Sequence, residues 1–126
     1  MMNNILEEIV AFKKQEVAQI KKEVSLEKLV KSPAFKRVPL SLATALTERG
    51  SSGIIAEFKR QSPSKGVING TATIEQVTQG YLDANAAAQS VLTDTKYFGG
   101  TMVDLMNARK VNNIRPILRK DFVVDG

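Results

Sequence analysis

Over residues 3 to 24, Leu6, Val10, Val17, Ile20 and Val24 recur at steps of three, four and seven, with lysines and glutamates between them. That spacing predicts one apolar stripe along a helix. Ser25, followed by Glu27 in a first turn, predicts the N-cap of a second, short helix that stops before Pro33. Residues 34 to 40 read as an extended connection. Ser41 then caps a third helix over 41–49, with Gly50 in the position that follows a helix end. Residues 1–50 are thus expected to be a helical extension, and 51–126 a separate region of different pattern.

From Ser52 the apolar period alternates between strand and helix. Residues 54–59 predict a strand, 73–85 an amphipathic helix, 87–93 a second strand, 101–111 a second helix and 116–124 a third strand. A βαβαβ succession implies a parallel sheet with right-handed crossovers. The repeat of about thirty residues suits a β/α barrel or an open sheet equally well. No Gly-x-Gly-x-x-Gly follows the first strand and no Walker pattern occurs, so neither a dinucleotide nor a nucleoside triphosphate site is indicated.

Alternation along the strands places charge on one face. Ile55, Glu57 and Lys59 share one side of the first strand while Ile54, Ala56 and Phe58 share the other. In the third, Leu118, Lys120 and Phe122 share a face, with Arg119 and Asp121 opposite. Two lysines therefore project at the carboxyl ends of parallel strands, where α/β proteins bind ligands. Neighbouring ammonium groups each disfavour the other's charge, so one of them is suited to giving and retaking a proton, with Glu57 limiting the effect. The competing reading is a structural ion-pair network at a sheet rim.

Composition narrows the chemistry further. The 126 residues are 43% hydrophobic and 25% charged, ordinary for one globular domain of modest size. The net charge is +5, with nine basic against six acidic residues in the first fifty and no block of five like charges, so the basic tilt is a weak sign of nucleic acid. Cysteine, histidine and tryptophan are absent, which excludes thiol nucleophiles, disulfides, Cys/His zinc sites and histidine triads. Any general acid or base is then Lys, Glu, Asp or Tyr. Glu7 and Glu8 interrupt what a secretory signal would need as its apolar core, and no run reaches membrane-spanning length, so a cytoplasmic location is expected.

Three motifs occur in order: Glu57-Phe58-Lys59-Arg60-x-Ser62-Pro63-Ser64-Lys65-Gly66; Ser90-Val91-Leu92-Thr93-Asp94 with Tyr97-Phe98-Gly99-Gly100; and Leu118-Arg119-Lys120-Asp121-Phe122. Together with the helical extension they resemble the indole-3-glycerol phosphate synthase family over the whole chain. The resemblance implies a (β/α)8 TIM barrel in tryptophan biosynthesis that works without metal or organic cofactor. It would close, decarboxylate and dehydrate 1-(2-carboxyphenylamino)-1-deoxyribulose 5-phosphate to indole-3-glycerol phosphate. By position, Lys120 would be the general acid on the ribulose carbonyl, Lys59 would pair with anionic groups of the substrate, and Glu57 would orient both lysines. Ser62 and Pro63 would lie in the loop over the strand end, and Phe98 and Phe122 would wall the anthranilate ring.

Several positions depart from the family pattern. Asn85-Ala86 stands for a usual Gly-Ala pair, Gln89 for an apolar strand residue and Arg115 for an aliphatic one; Gln89 and Arg115 are read as packing changes. A whole barrel needs roughly 250 residues, and the motifs here belong to its first three strands. By the resemblance, the glutamate base, an asparagine partner and the Gly/Ser phosphate site belong to later strands, so this chain alone is expected to be inactive. Its open sheet edges lead to the expectation that it self-associates or pairs with a C-terminal half. The alternative is a non-catalytic assembly module whose lysines (Lys13, Lys14, Lys21, Lys22, Lys28 and Lys31) bind an acidic partner. Interleaved Glu16, Glu23 and Glu27 argue for a solvated helix face instead, with no nucleic acid or membrane partner.

Overall fold

The computed structural model describes residues 4–126, which group into two compact units: residues up to 39 together with 122–126, and residues 40–121. The first unit contains α1 (Ile5–Glu23) and α2 (Leu26–Val30). Asn4 caps α1 by accepting from the Glu7 amide, and Ser25 caps α2 by accepting from Lys28, as its place in the sequence predicts. The buried face of α1 differs from the predicted stripe. Ile9 and Lys13 are buried, Val10 and Val17 are half-buried, and Leu6 and Ile20 are exposed, so burial falls on the arc beside the predicted one. A lysine at a buried position hides that arc from a hydrophobic pattern; Lys13 pairs with Glu16 at 3.2 Å. Lys21 pairs with Asp125 and Lys31 with Glu27, so at least three of the six lysines proposed as a basic face are engaged by carboxylates among the described residues. Residues 34–36 form a turn instead of an extended segment, closed by Phe35 N–H to Ser32 O and Arg37 N–H to Ala34 O.

The second unit begins with α3 (Leu42–Thr47), capped by Ser41, whose hydroxyl accepts from the Thr44 amide. Then follow β1 (Ile55–Phe58), β2 (Gln61–Ser62), β3 (Gly66–Val67), α4 (Ile74–Asp83), β4 (Ala88–Leu92), α5 (Met102–Val111) and β5 (Ile117–Lys120). The sheet has the order β1-β4-β5 with both pairings parallel, as the βαβαβ pattern predicts. Phe58, Val91, Ile74 and Ala108 form its core, joined by Val77, Leu105 and Ile117, so one face of the sheet is covered by α4 and α5. Each large apolar side chain buried there contributes about 1.5–3 kcal/mol. Thr73 and Thr101 cap α4 and α5 through their hydroxyls. Among the described residues no helix is long and apolar enough to cross a membrane.

One element was not foreseen, and one expectation is corrected. The loop after β1 folds into an antiparallel hairpin, with Gln61 opposite Val67 and Ser62 opposite Gly66. The third strand ends at Lys120 and does not reach 124. Its neighbour explains why: Thr93 N–H bonds Lys120 O at 3.0 Å, after which Asp94 turns the chain by accepting from the Tyr97 amide at 2.8 Å. β4 itself ends at Leu92, so the ladder that pairs β5 runs out at this point.

The positions that depart from the family pattern have local accounts. Gln89 is fully buried on the helix-covered face and donates to the Thr78 hydroxyl of α4 at 2.9 Å, which is the packing change expected of it. Asn85 adopts φ +63, a left-handed conformation that asparagine tolerates better than most side chains. Its side-chain oxygen accepts from Arg115 at 3.3 Å, and Arg115 also pairs with Glu48 at 3.2 Å. Two of the departures therefore support each other.

Candidate functional site

The site lies on the sheet face opposite the helices. The register places Glu57, Ser90 and Leu118 in one row across β1, β4 and β5. Leu92 and Lys120 form the next row toward the carboxyl ends, and alternation puts Lys59 at the same level. Lys120 reaches back across β4, and its Nζ lies 2.7 Å from Glu57 Oε1. Lys59 Nζ is 3.7 Å from the other carboxylate oxygen. One carboxylate thus sits between two ammonium groups.

Burial and hydrogen bonding fix Glu57. Ser90, itself buried, donates to Oε1 at 3.3 Å. Burial pushes the Glu57 carboxyl up, but the hydrogen bond and charge of Lys120, the charge of Lys59 and the Ser90 hydroxyl together outweigh it and hold the group below its ordinary range. Tyr81 of α4 donates to the Glu57 backbone carbonyl at 2.6 Å. Its phenol is pushed up by burial and by the Glu57 charge. The Lys120 side chain is 52% exposed and that of Lys59 34%, so both are partly open to solvent.

The remaining predicted residues are distributed as follows. The Phe98 ring lies 5.8 Å from Lys59 Nζ, which brings an aromatic wall and a cation together. Ser62 is half-buried in β2, and its hydroxyl accepts from the Lys65 amide at 3.2 Å, which shapes the hairpin turn; Pro63 is exposed. Phe122 is half-buried, lies beyond the end of β5 in the sequence and groups with the first unit. Glu57 and Lys59 also line an open cleft of about 390 Å³ with Phe58, Ile68, Asn69 and Tyr81.

Two groups were not singled out from sequence. Ser90 bears on Glu57 only through the β1–β4 register, which no local pattern reveals. Arg60 makes a two-pronged pair with Asp104, 2.8 and 3.1 Å, reaches the Ala72 carbonyl at 3.4 Å, and stacks 4.8 Å from the Phe58 ring. The Asp104 hydrogen bonds push the guanidinium up against the opposing effect of burial. Arg60 thereby ties the end of β1 to the start of α5 and to the lead into α4, directly behind the lysine that precedes the hairpin.

These features define a parallel α/β protein with a lysine–carboxylate–lysine cluster at the carboxyl ends of its strands. The chain belongs to the indole-3-glycerol phosphate synthase family, whose sequence model matches residues 6–126. It is 44% identical over 128 residues to an indole-3-glycerol phosphate synthase of Bacteroides thetaiotaomicron, covering 98% of this chain and 47% of that protein. Enzymes of the same name from Carboxydothermus hydrogenoformans (41% over 126 residues; 95% of this chain, 47% of the relative) and Syntrophobacter fumaroxidans (44% over 125; 98% and 47%) are similarly related. The chain spans about half the length of these curated relatives.

Proposed function

We propose that this chain supplies the acid side of an indole-3-glycerol phosphate synthase site, on the first three strands of a (β/α)8 barrel. The substrate is 1-(2-carboxyphenylamino)-1-deoxyribulose 5-phosphate. Ring closure joins the ring carbon that bears the carboxylate to the ribulose carbonyl carbon, and negative charge develops on the carbonyl oxygen. Lys120 donates a proton there. Loss of carbon dioxide restores the aromatic ring, and the new hydroxyl then takes a second proton and leaves as water while the adjacent methylene carbon, the former C1 of the ribulose, gives up a proton to form the indole double bond.

The observation that carries this reading is the 2.7 Å pair of Lys120 and Glu57, with Lys59 at the second carboxylate oxygen. An acid must be aimed at the oxygen where charge appears, and a rigid partner on another strand aims it. Lys59 binds an anionic group of the substrate, and Phe98 beside it offers a face for the anthranilate ring. Ser62 and Pro63 border the strand end from the hairpin; Phe122 enters on the family resemblance alone. The general base and the phosphate-binding loops lie in the part of the relatives that this chain does not match.

The test is product formation. The full-length polypeptide that carries this segment is expected to convert the substrate to a product with indole fluorescence, and residues 1–126 alone to give none. A full-length protein without that conversion would contradict the proposal.

A further inference from the structure

Thr93 stands in the second motif, one residue beyond β4, and its role in the site is indirect. It is buried, at 7% exposure. Its amide donates to the Lys120 carbonyl at 3.0 Å. Its hydroxyl donates to Asp121 Oδ2 at 2.7 Å and accepts from Arg119 Nε at 3.1 Å. The directions are forced, because a guanidinium can only donate and an ionised carboxylate only accept. Arg119 and Asp121 also approach each other, at 3.5 Å.

Three consecutive residues of one segment are therefore tied to a single residue at the end of the neighbouring strand β4, and the central one is Lys120. Arg119 and Asp121 alternate with Lys120, so their side chains leave the opposite face. Together with the Thr93 amide on the Lys120 carbonyl, anchoring them fixes the direction in which the Lys120 side chain leaves the backbone at the last residue of β5.

We infer that Thr93 is a positioning residue for Lys120: its hydroxyl, bridging Arg119 and Asp121, holds the strand end so that the ammonium meets both Glu57 and the substrate oxygen. This rests on the reading of Lys120 as the acid. A displacement of the order of one ångström at a catalytic group is enough to lower turnover strongly.

Steady-state kinetics of the full-length protein, with Thr93→Val, Thr93→Ser, Lys120→Ala and the Thr93→Val/Lys120→Ala double variant, test it. Valine keeps the shape and removes the hydroxyl. Thr93→Val is expected to lower kcat about tenfold with KM within about twofold, and Thr93→Ser to keep kcat within about threefold. In the Lys120→Ala background, Thr93→Val should cost nothing more, because there is no ammonium left to position. A merely structural threonine would give the same loss in both backgrounds, and that additivity would overturn the inference. So would an unchanged kcat in Thr93→Val when Lys120→Ala is strongly impaired, with the acid reading left standing. If Lys120→Ala itself turns over normally, both fall. Should Thr93→Val fail to fold, the exposed Arg119→Met takes its place, with an expected loss of about threefold that also vanishes in the Lys120→Ala background; additivity there overturns the inference equally.

Discussion

The Lys120 ammonium lies 2.7 Å from Glu57 although the two residues stand on strands that are not neighbours. With strands about 4.8 Å apart, the pair bridges the full width of β4, on the face that carries Ser90 and Leu92 in successive rows. Only long side chains at the same end of parallel strands can meet this way. The consequence is that one carboxylate governs both lysines, and that its own ionisation is coupled to the fold.

That coupling gives a pH dependence of stability. The folded-state pKa of Glu57 lies below its ordinary value of 4.5, so its contribution to stability is complete above that value and is lost as pH falls through the folded pKa. Thermal melts of the parent and of Glu57→Gln should differ most near neutrality, with the parent more stable, and converge as pH drops below 4.5. A gap that stays constant over this range would show that Glu57 is not held by its lysines.

Gly100 predicts a sharp steric effect. A Cβ there would lie 2.0 Å from the Leu92 carbonyl oxygen, a backbone atom that cannot swing away. Gly100→Ala is expected to cost about 3 kcal/mol or more. At Gly80, inside α4, nothing lies within 4 Å, and Gly80→Ala should stabilise by about 0.5–1 kcal/mol. Denaturant titrations of the two variants should move in opposite directions.

Much of this architecture was legible in the chain, and the misses in the sheet region share one cause. The caps at Ser25 and Ser41, the helices around 74–83 and 102–111, and the parity that separates Glu57 from Phe58 are all set by residues within a few positions of one another. The end of β5 is set by where β4 turns away at Asp94, and the hairpin by a Gln61–Val67 pairing only two residues deep. Neither leaves a local signature. The same holds for the site: Glu57, Lys59 and Lys120 could be placed at strand ends from alternation, whereas Ser90, Thr93 and the Arg60–Asp104 pair depend on cross-strand register and helix placement. The Asn85–Arg115 contact shows the same limit, since each departure taken singly gives no hint of the other.

Gln89 offers a test of buried polar packing. It donates to Thr78, which is fully buried, but its own Oε1 has no hydrogen-bond partner among the described residues. Gln89→Leu alone should cost about 1 kcal/mol, because the Thr78 hydroxyl loses its partner. The double variant Gln89→Leu/Thr78→Val should recover most of that loss or exceed the parent, since the Thr78 hydroxyl that the single variant leaves without its amide donor is then gone as well. A double variant less stable than the single would mean that the Thr78 side chain contributes through contacts other than Gln89.

The most direct test of the central claim is kcat and KM for Lys120→Ala in the full-length protein, read by indole fluorescence. A group that acts on charge developing in the transition state contributes to turnover far more than to substrate binding. The account predicts a loss in kcat of about a hundredfold or more with KM changed by less than about threefold, while Lys59→Ala raises KM as well. A Lys120→Ala enzyme whose kcat stays within about threefold of the parent, below the range of general acid catalysis, would contradict it.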